Sequence, residues 1–261
     1  MPCTHLTVAG GVARVEIDRP PLNVIDLGAA LELAAVLEEL AVRDDVAVIA
    51  LSGRGRAFCA GVDVRDHLPD RGADMLRAFH RACLALIEAP QPSVAIVQGA
   101  ALGGGCELTL CCDLVIASER ATFGQPEIRL GVFPPLAAVA LPRMIPAHHA
   151  SDLLLTGRIV NAGEALAIGL VNRVAPEAEL GPAAEAKLAE LAALSPASLR
   201  LTRDVMRRAR VRPTTEEIAG AERDYVERLM HTPDAVEGLT AFLEKRPPRW
   251  AQARSVVIEQ T

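Results

Sequence analysis

The stretch "QGAALGGGCELTL", Gln98 to Leu110, decides the predicted fold. It follows the apolar run Ser93 to Val97 and places three consecutive glycines ahead of one carboxylate, Glu107. Glycine is costly inside a regular element, because it loses the most backbone entropy on folding and offers no side chain to pack. We therefore predict a buried strand, a glycine turn that needs bare backbone, and a helix over Cys106 to Cys112.

The same order occurs earlier in the chain. The apolar run Val46 to Leu51 predicts a buried strand, "SGRGRAFCAG" a glycine-rich turn, and the spacing over Met75 to Glu88 a helix. Repeated strand, turn and helix predict an α/β fold with ligand chemistry at the carboxyl ends of the strands. We expect residues 1–189 to form the core with the active site and residues 190–261 a helical C-terminal region.

Composition narrows the class of protein. The 261 residues are 51% hydrophobic and 3% aromatic, with a formal net charge of −6 and no basic block, which argues against nucleic acid as a partner. Six cysteines without CxxC spacing indicate neither a zinc site nor a redox motif. The N-terminus lacks the pattern of a signal peptide, and no apolar run is long enough to span a membrane. We expect a cytoplasmic enzyme or binding protein without a metal.

The glycines have two interpretations. Gly103, Gly104 and Gly105 are predicted to open a helix, where N–H groups are unsatisfied and the dipole is positive. They would suit an oxyanion hole, in which each donor lowers a barrier by roughly 2.7 to 4 kcal/mol. The alternative is a close strand–helix crossing that needs small residues. Neither glycine-rich segment matches G-x-G-x-x-G or a P-loop, so nucleotide binding of either kind loses support.

Two carboxylates are candidates for acid and base chemistry. Glu107 falls in the first turn of the predicted helix, and Glu127 follows a proline in "FGQPEIRLG"; both have apolar neighbours. Burial would bring such a carboxyl closer to neutral pH, as general acid and base catalysis requires. The alternative is that Glu107 complements the helix dipole and Glu127 is a surface residue. His67, His148 and His149 are weaker candidates.

Three segments together resemble the enoyl-CoA hydratase/isomerase, or crotonase, superfamily: "AFCAGVDV" (residues 57–64), "GAALGGGCELTLCCDLVIA" (residues 99–117) and "ATFGQPEIRLGVFP" (residues 121–134). The similarity extends over nearly the whole chain, including "LLLTGRIVNAGEALAIGLVNRV" and "AFLEKRPPRW". The resemblance implies a crotonase-like spiral of repeated ββα units, with residues 190–261 as a helical trimerisation region.

The resemblance also implies an active site. The backbone N–H groups of Val62 and Gly104 would hold the thioester oxygen of an acyl-CoA substrate. Glu107 would activate a water, and Glu127 would protonate the α-carbon. Substrate-binding positions implied in the same way are Ala60, Gly61, Asp63, Gly103 and Pro134.

Both glutamates favour a hydratase. The alternatives are an enoyl-CoA isomerase and a catalytically silent acyl-CoA-binding protein. After Glu127 the sequence "GVFPPLAAVALPR" departs from straight-chain hydratases and resembles the cyclohexa-1,5-diene-1-carbonyl-CoA hydratase branch of aromatic degradation. Coenzyme A would be part of the substrate, with no separate cofactor, and Arg19, Lys245 and Arg246 are candidates to meet its phosphates. The family also implies a homotrimer or a dimer of trimers.

Overall fold

Nine strands in two sheets organise residues 2–209 and 213–250, which the computed structural model describes. The strands are β1 (Thr4–Ala9), β2 (Val12–Ile17), β3 (Val48–Gly53), β4 (Ser93–Val97), β5 (Ala100–Leu102), β6 (Leu114–Ser118), β7 (Thr122–Gly124), β8 (Ile159–Asn161) and β9 (Arg173–Ala175). The larger sheet has the order β1-β2-β3-β4-β6-β9, and the smaller has the order β5-β7-β8. Only β1–β2 and β7–β8 are antiparallel pairs among these strands.

Ten α-helices connect and cover the sheets in the same described ranges. They are α1 (Leu27–Ala41), α2 (Gly72–Glu88), α3 (Gly104–Cys111), α4 (Pro135–Met144), α5 (Ala147–Thr156), α6 (Ala162–Ala167), α7 (Leu180–Ala192), α8 (Pro196–Arg208), α9 (Thr215–Arg223) and α10 (Pro233–Leu243). Short 3₁₀ helices include Val64–His67 and Pro126–Leu130, and a π-helical turn, Asp224–Arg228, follows α9.

Strand β3, in the middle of the larger sheet, is buried on both faces. In β3, Ile49 and Leu51 point into the main core with α1 and α2, whereas Val48 and Ala50 point to a second core against α7. A strand that is covered on both faces has a continuous apolar sequence, and this allowed β3 to be predicted from the sequence. It begins two residues later than predicted, because the Ala47 and Val48 N–H groups bond to the turn before β2.

The chain repeats a unit in which one strand joins the larger sheet, the next joins the smaller sheet, and a helix follows. The segments β4–β5–α3 and β6–β7 with the 3₁₀ helix Pro126–Leu130 show this order. Single bridges between Cys59 and Ala101 and between Ile25 and Val62 continue the smaller layer. The predicted α/β fold of ββα units with a helical C-terminal region is confirmed. The glycine turn predicted after β4 is wrong in part, because residues 100–102 pair with β7 as strand β5.

The C-terminal helices pack back over the core. α9 contacts α2 and α4, and α10 contacts the 3₁₀ helices Val64–His67 and Pro126–Leu130. α7 crosses residue 190, where the helical region was predicted to begin. Residues 251–261 of that region lie outside the described residues, and its role in trimerisation remains a prediction. These contacts place α9 against α2 and α4, and α10 against the 3₁₀ helix that carries Glu127.

Candidate active site

Two backbone N–H groups remain available where the smaller layer meets α3. Ile25 donates to the Gly61 oxygen at 2.9 Å, and Asp63 donates to the Ile25 oxygen at 2.8 Å, so the Val62 N–H points away from this bridge. Among the residues described, neither Val62 nor Gly104 has an acceptor for its N–H. A Cβ added to Gly61 would lie 4.0 Å from the Gly104 nitrogen. The structure thus brings the two predicted oxyanion donors close together, with both N–H groups free of backbone partners.

Gly103 makes room for a carboxyl. It caps α3 with φ +52°, a left-handed conformation that side chains rarely adopt. A Cβ built there would collide with Oε1 of Glu127. The first of the three glycines therefore allows the Glu127 carboxyl to lie against the N-terminus of α3, a contact that the sequence did not indicate.

The other two glycines allow close packing of the neighbouring chain. A Cβ on Gly104 would lie 2.8 Å from Cγ2 of Val62 and 3.0 Å from Cζ of Phe79. A Cβ on Gly105 would overlap the backbone oxygen of Cys59. The turn therefore needs small residues for a close crossing, as the second interpretation predicts. It also leaves the Gly104 N–H without a partner among the described residues, and the oxyanion role of that group stays a prediction.

Glu107 is buried and held by the next helix. It is 4% exposed, and its Oε1 accepts a hydrogen bond of 2.9 Å from the Ala137 N–H in the first turn of α4. No side chain caps α4 at Pro134, so Glu107 supplies this contact from α3. Burial raises the pKa of the Glu107 carboxyl, while the charge of His80 and the N–H groups of Ala137 and Leu136 act in the opposite direction.

Glu127 has a different environment. It lies in the 3₁₀ helix Pro126–Leu130, and its Oε2 is buried with no hydrogen-bond partner among the described residues. Burial, followed by the nearby charge of Glu107, raises the pKa of Glu127 to about 8. The two carboxyls are thus coupled, one held by backbone N–H groups and the other without a partner at one oxygen.

The structure adds a histidine that sequence reasoning missed. His80 of α2 is 1% exposed, and its Nδ1 bonds to Glu222 of α9. Its Nε2 is buried without a partner in the described structure. The available signal was a histidine beside Leu76, Phe79 and Cys83 on the apolar face of a predicted helix.

Two further polar side chains were also missed. Tyr225 is 1% exposed, its hydroxyl has no partner in the described residues, and its ring meets Phe133 edge-on at 5.7 Å between centroids. Burial and the charges of Glu127 and Glu107 raise the pKa of its phenol. Gln125 is fully buried, and neither amide atom has a partner within the same ranges. The one signal for Tyr225 was that the chain contains a single tyrosine.

Comparison with known proteins assigns the family. A family model described as Enoyl-CoA hydratase/isomerase matches residues 7–253. The chain belongs to the enoyl-CoA hydratase/isomerase family. The predicted resemblance is therefore confirmed, and acyl-CoA thioesters are the class of substrate consistent with this family.

Three proteins similar to this chain have names that refer to different acyl-CoA substrates. The cyclohexa-1,5-dienecarbonyl-CoA hydratase of Thauera aromatica is 35% identical over 243 residues, covering 92% of this chain and 93% of that protein. A putative enoyl-CoA hydratase of Thermus thermophilus is 37% identical over 254 residues, covering 92% and 98%. The crystal structure of a carnitinyl-CoA hydratase from Mycobacterium avium superposes with a TM-score of 0.85 at 32% identity, covering 97% and 100%.

Ala60, Asp63 and Pro134 are the remaining positions predicted to bind substrate. The Ala60 N–H donates to the Leu22 oxygen at 3.0 Å. The Asp63 side chain caps the 3₁₀ helix Val64–His67 and pairs with Arg65. Pro134 is buried directly before α4. Their contact with substrate remains a prediction.

The weaker candidates for catalysis or phosphate binding either lie elsewhere in the structure or already bond to other groups of the protein. His67 bonds through Nδ1 to the Asp63 oxygen at 3.1 Å, and burial lowers its pKa. His148 and His149 are exposed on α5. Arg19 pairs with Asp26, and Arg246 pairs with Glu237 and Glu244, so both guanidinium groups already have anionic partners.

Among the residues that the structure describes, no group of three or more acidic, histidine or cysteine side chains is arranged to hold a metal ion. None of the six cysteines forms a disulfide, and five of them are buried. Among the helices described, none combines the length and apolar character needed to cross a bilayer.

Proposed function

We propose that the protein adds water across the double bond of an α,β-unsaturated acyl-CoA thioester. The observation that supports this most strongly is the pair of coupled, buried carboxyls, Glu107 and Glu127, beside two free N–H groups. A binding protein has no need for two such acids, whose burial costs stability. Hydration needs one group to accept a proton from water and another to donate a proton to carbon, and we assign these two roles to Glu107 and Glu127.

The surroundings of the two carboxyls suit opposite roles. Burial raises the pKa of Glu107, but the backbone N–H groups of α4 and the charge of His80 oppose this and stabilise the ionised form, which suits a general base. The pKa of about 8 at Glu127 leaves it mostly protonated at pH 7, which suits a general acid. Burial raises the pKa of both carboxyls, and the α4 donors at Glu107 are the difference on which we base the proposed direction of proton transfer.

The proposed reaction conserves atoms and charge. The water oxygen bonds to the β-carbon, and the water proton passes to Glu107. The electron pair of the double bond moves to the thioester as an enolate, whose oxygen accepts hydrogen bonds from the Val62 and Gly104 N–H groups. The α-carbon then takes the proton of Glu127, which gives a β-hydroxyacyl-CoA, and transfer of one proton from Glu107 to Glu127 restores the site.

Coenzyme A is part of the substrate in this proposal, and no further cofactor or metal takes part. Within the class, we propose a cyclic dienoyl-CoA of aromatic degradation as the substrate. The support is the Thauera aromatica relative and the "GVFPP" loop, whose Phe133 packs against Tyr225 beside the glutamates. This finer assignment goes beyond the family, because the relatives share only about a third of their residues with the chain.

The test is product mass after incubation with crotonyl-CoA and with cyclohexa-1,5-diene-1-carbonyl-CoA, side by side. Gain of one water on the cyclic substrate alone would support the aromatic-degradation assignment. Preference for crotonyl-CoA would support a general hydratase. A product of unchanged mass with a shifted double bond would show an isomerase, and no product from either would contradict the enzyme proposal.

We also propose assembly as a homotrimer or a dimer of trimers through the C-terminal helices. Support comes from α8, where Leu201, Val205 and Met206 are 66%, 57% and 57% exposed in the single chain. Leu201 and Val205 are four residues apart and share one helix face. Light scattering on the eluted protein should give three or six times the mass of one chain, and a monomer would contradict the proposal.

A further inference from the structure

Tyr225 lies on an irregular turn close to the active site. Residues Asp224–Arg228 form a π-helical turn between α9 and the short 3₁₀ helix Leu229–His231. Such turns insert an extra residue into a helix and are frequent at functional sites. Here the turn buries the Tyr225 side chain while Asp224, Glu227 and Arg228 remain exposed.

The Tyr225 ring fills the space between α2 and the loop that follows Glu127. A Cβ on Gly72, the first residue of α2, would lie 3.8 Å from Cε1 of Tyr225. Phe133 of the loop meets the ring edge-on. The loop itself is tied to the acid, because the Val132 N–H donates to the Glu127 backbone oxygen at 3.2 Å. The charges of Glu127 and Glu107 both act on the Tyr225 phenol, so the ring lies in the neighbourhood of the two glutamates.

The hydroxyl of Tyr225 is not needed for this packing. A phenylalanine would fill the same space, whereas a buried hydroxyl without a partner costs roughly 1 to 3 kcal/mol. The Tyr225 hydroxyl and Oε2 of Glu127 are both buried and without a partner in the described residues. A small polar molecule held between them would satisfy both atoms.

Resting on the proposed hydration, we propose that Tyr225 positions the water that is added to the substrate. Its O–H donates to one lone pair of the water oxygen, the second lone pair attacks the β-carbon, and a water proton passes to Glu107. After addition the same oxygen is the product hydroxyl, still within reach of Tyr225. In the reverse reaction this donor would stabilise the departing oxygen. Tyr225 itself gains and loses no proton.

The test compares Tyr225→Phe with the wild type in two assays. The first is steady-state hydration of the enoyl-CoA that the wild type turns over. The second is exchange of the α-protons of butyryl-CoA in D₂O, followed by mass, which requires the acid and the oxyanion donors but adds no water. Val226→Ala is the control, because it alters the same turn and keeps the hydroxyl.

Loss of the hydroxyl should lower kcat for hydration roughly tenfold to hundredfold, as expected for one lost hydrogen bond in a buried site. KM and the exchange rate should stay within about twofold of the wild type on the same argument, and Val226→Ala should change neither assay. Unchanged hydration in Tyr225→Phe would overturn the inference, as would an equal loss in both assays or the same loss in Val226→Ala. If the wild type exchanges protons but hydrates nothing, the proposed function itself fails, and the role of Tyr225 fails with it.

Discussion

Gly103 and Glu127 show how one residue sets the geometry of another. Gly103→Ala should abolish most hydration, because the new methyl group would displace the Glu127 carboxyl from α3. The matched control is Gly10→Ala, which has a similar φ of +58° but open space around it. Both variants should lose about 1 to 2 kcal/mol of unfolding free energy from the left-handed backbone. Thermal unfolding and hydration rates measured together check this, and equal activity in the two variants would refute it.

The pKa of Glu127 predicts a pH profile. An acid must be protonated to donate, so hydration should fall as pH rises through about 8, the pKa of Glu127. Below that pH the rate should stay level until Glu107 becomes protonated. The measurement is kcat between pH 6 and pH 10, values chosen to span about two units on either side of 8, with thioester binding followed over the same range. A rate that keeps rising above pH 9 would argue against Glu127 as the acid.

The neighbouring sequence was enough to predict some residues of the candidate site, but not others. Glu107 and Gly104 follow from the order of strand, glycines and helix in one segment. Glu127 was a candidate because of its apolar neighbours, whereas Val62 required the family resemblance, because its contacts come from segments far apart in the chain. Tyr225 and His80 could not be placed, since nothing local indicates that residues 80 and 222 meet across a separation of 142 positions.

The charge environment of Glu107 on α3 is set by groups from three other helices. These are α2, α4 and α9. His80 on α2 lowers the pKa of Glu107, and Glu222 on α9 holds His80 in place. His80→Gln removes that charge, so the pKa of Glu107 should rise. Because the base must be ionised, the acidic limb of the hydration profile should then move to higher pH.

The control for this variant is His148→Gln, which replaces an exposed histidine on α5. Its profile should match the wild type. An unshifted acidic limb in His80→Gln would show that His80 does not act on the base.

Element boundaries were predictable where the deciding contacts are local. At the start of α1, Asp26 is a residue type that favours the N-cap, and its side chain accepts from the Ala29 N–H at 2.9 Å, a contact within four residues. Strand β5 was missed because its three residues are strand only through pairing with Cys59 and β7, both distant in sequence. Short strands of this kind carry no periodicity of their own.

For the whole molecule, Arg203 is the buried link between α8 and the core. Its guanidinium pairs with Asp113 at 2.7 Å and donates to the carbonyl oxygens of Leu86 and Ile87 at the end of α2. Arg203→Met should lower the unfolding free energy by roughly 3 to 5 kcal/mol, because it leaves buried acceptors unpaired. Urea denaturation measures this change.

Arg207→Met on the same helix is the matched control, since Arg207 is largely exposed and pairs only with Asp204 among the described residues. It should unfold near the wild-type midpoint. Equal midpoints for the two variants would show that Arg203 does not anchor α8.

The most direct test of the whole account is hydration in H₂¹⁸O by the wild type, Glu107→Gln and Glu127→Gln, with thioester binding measured in parallel. The wild-type product should carry the heavy oxygen. Each variant should bind the thioester normally and turn over roughly 10² to 10⁴ times more slowly. A wild-type product without ¹⁸O, or a variant that keeps full turnover, would contradict the claim that these two carboxyls add water to an acyl-CoA.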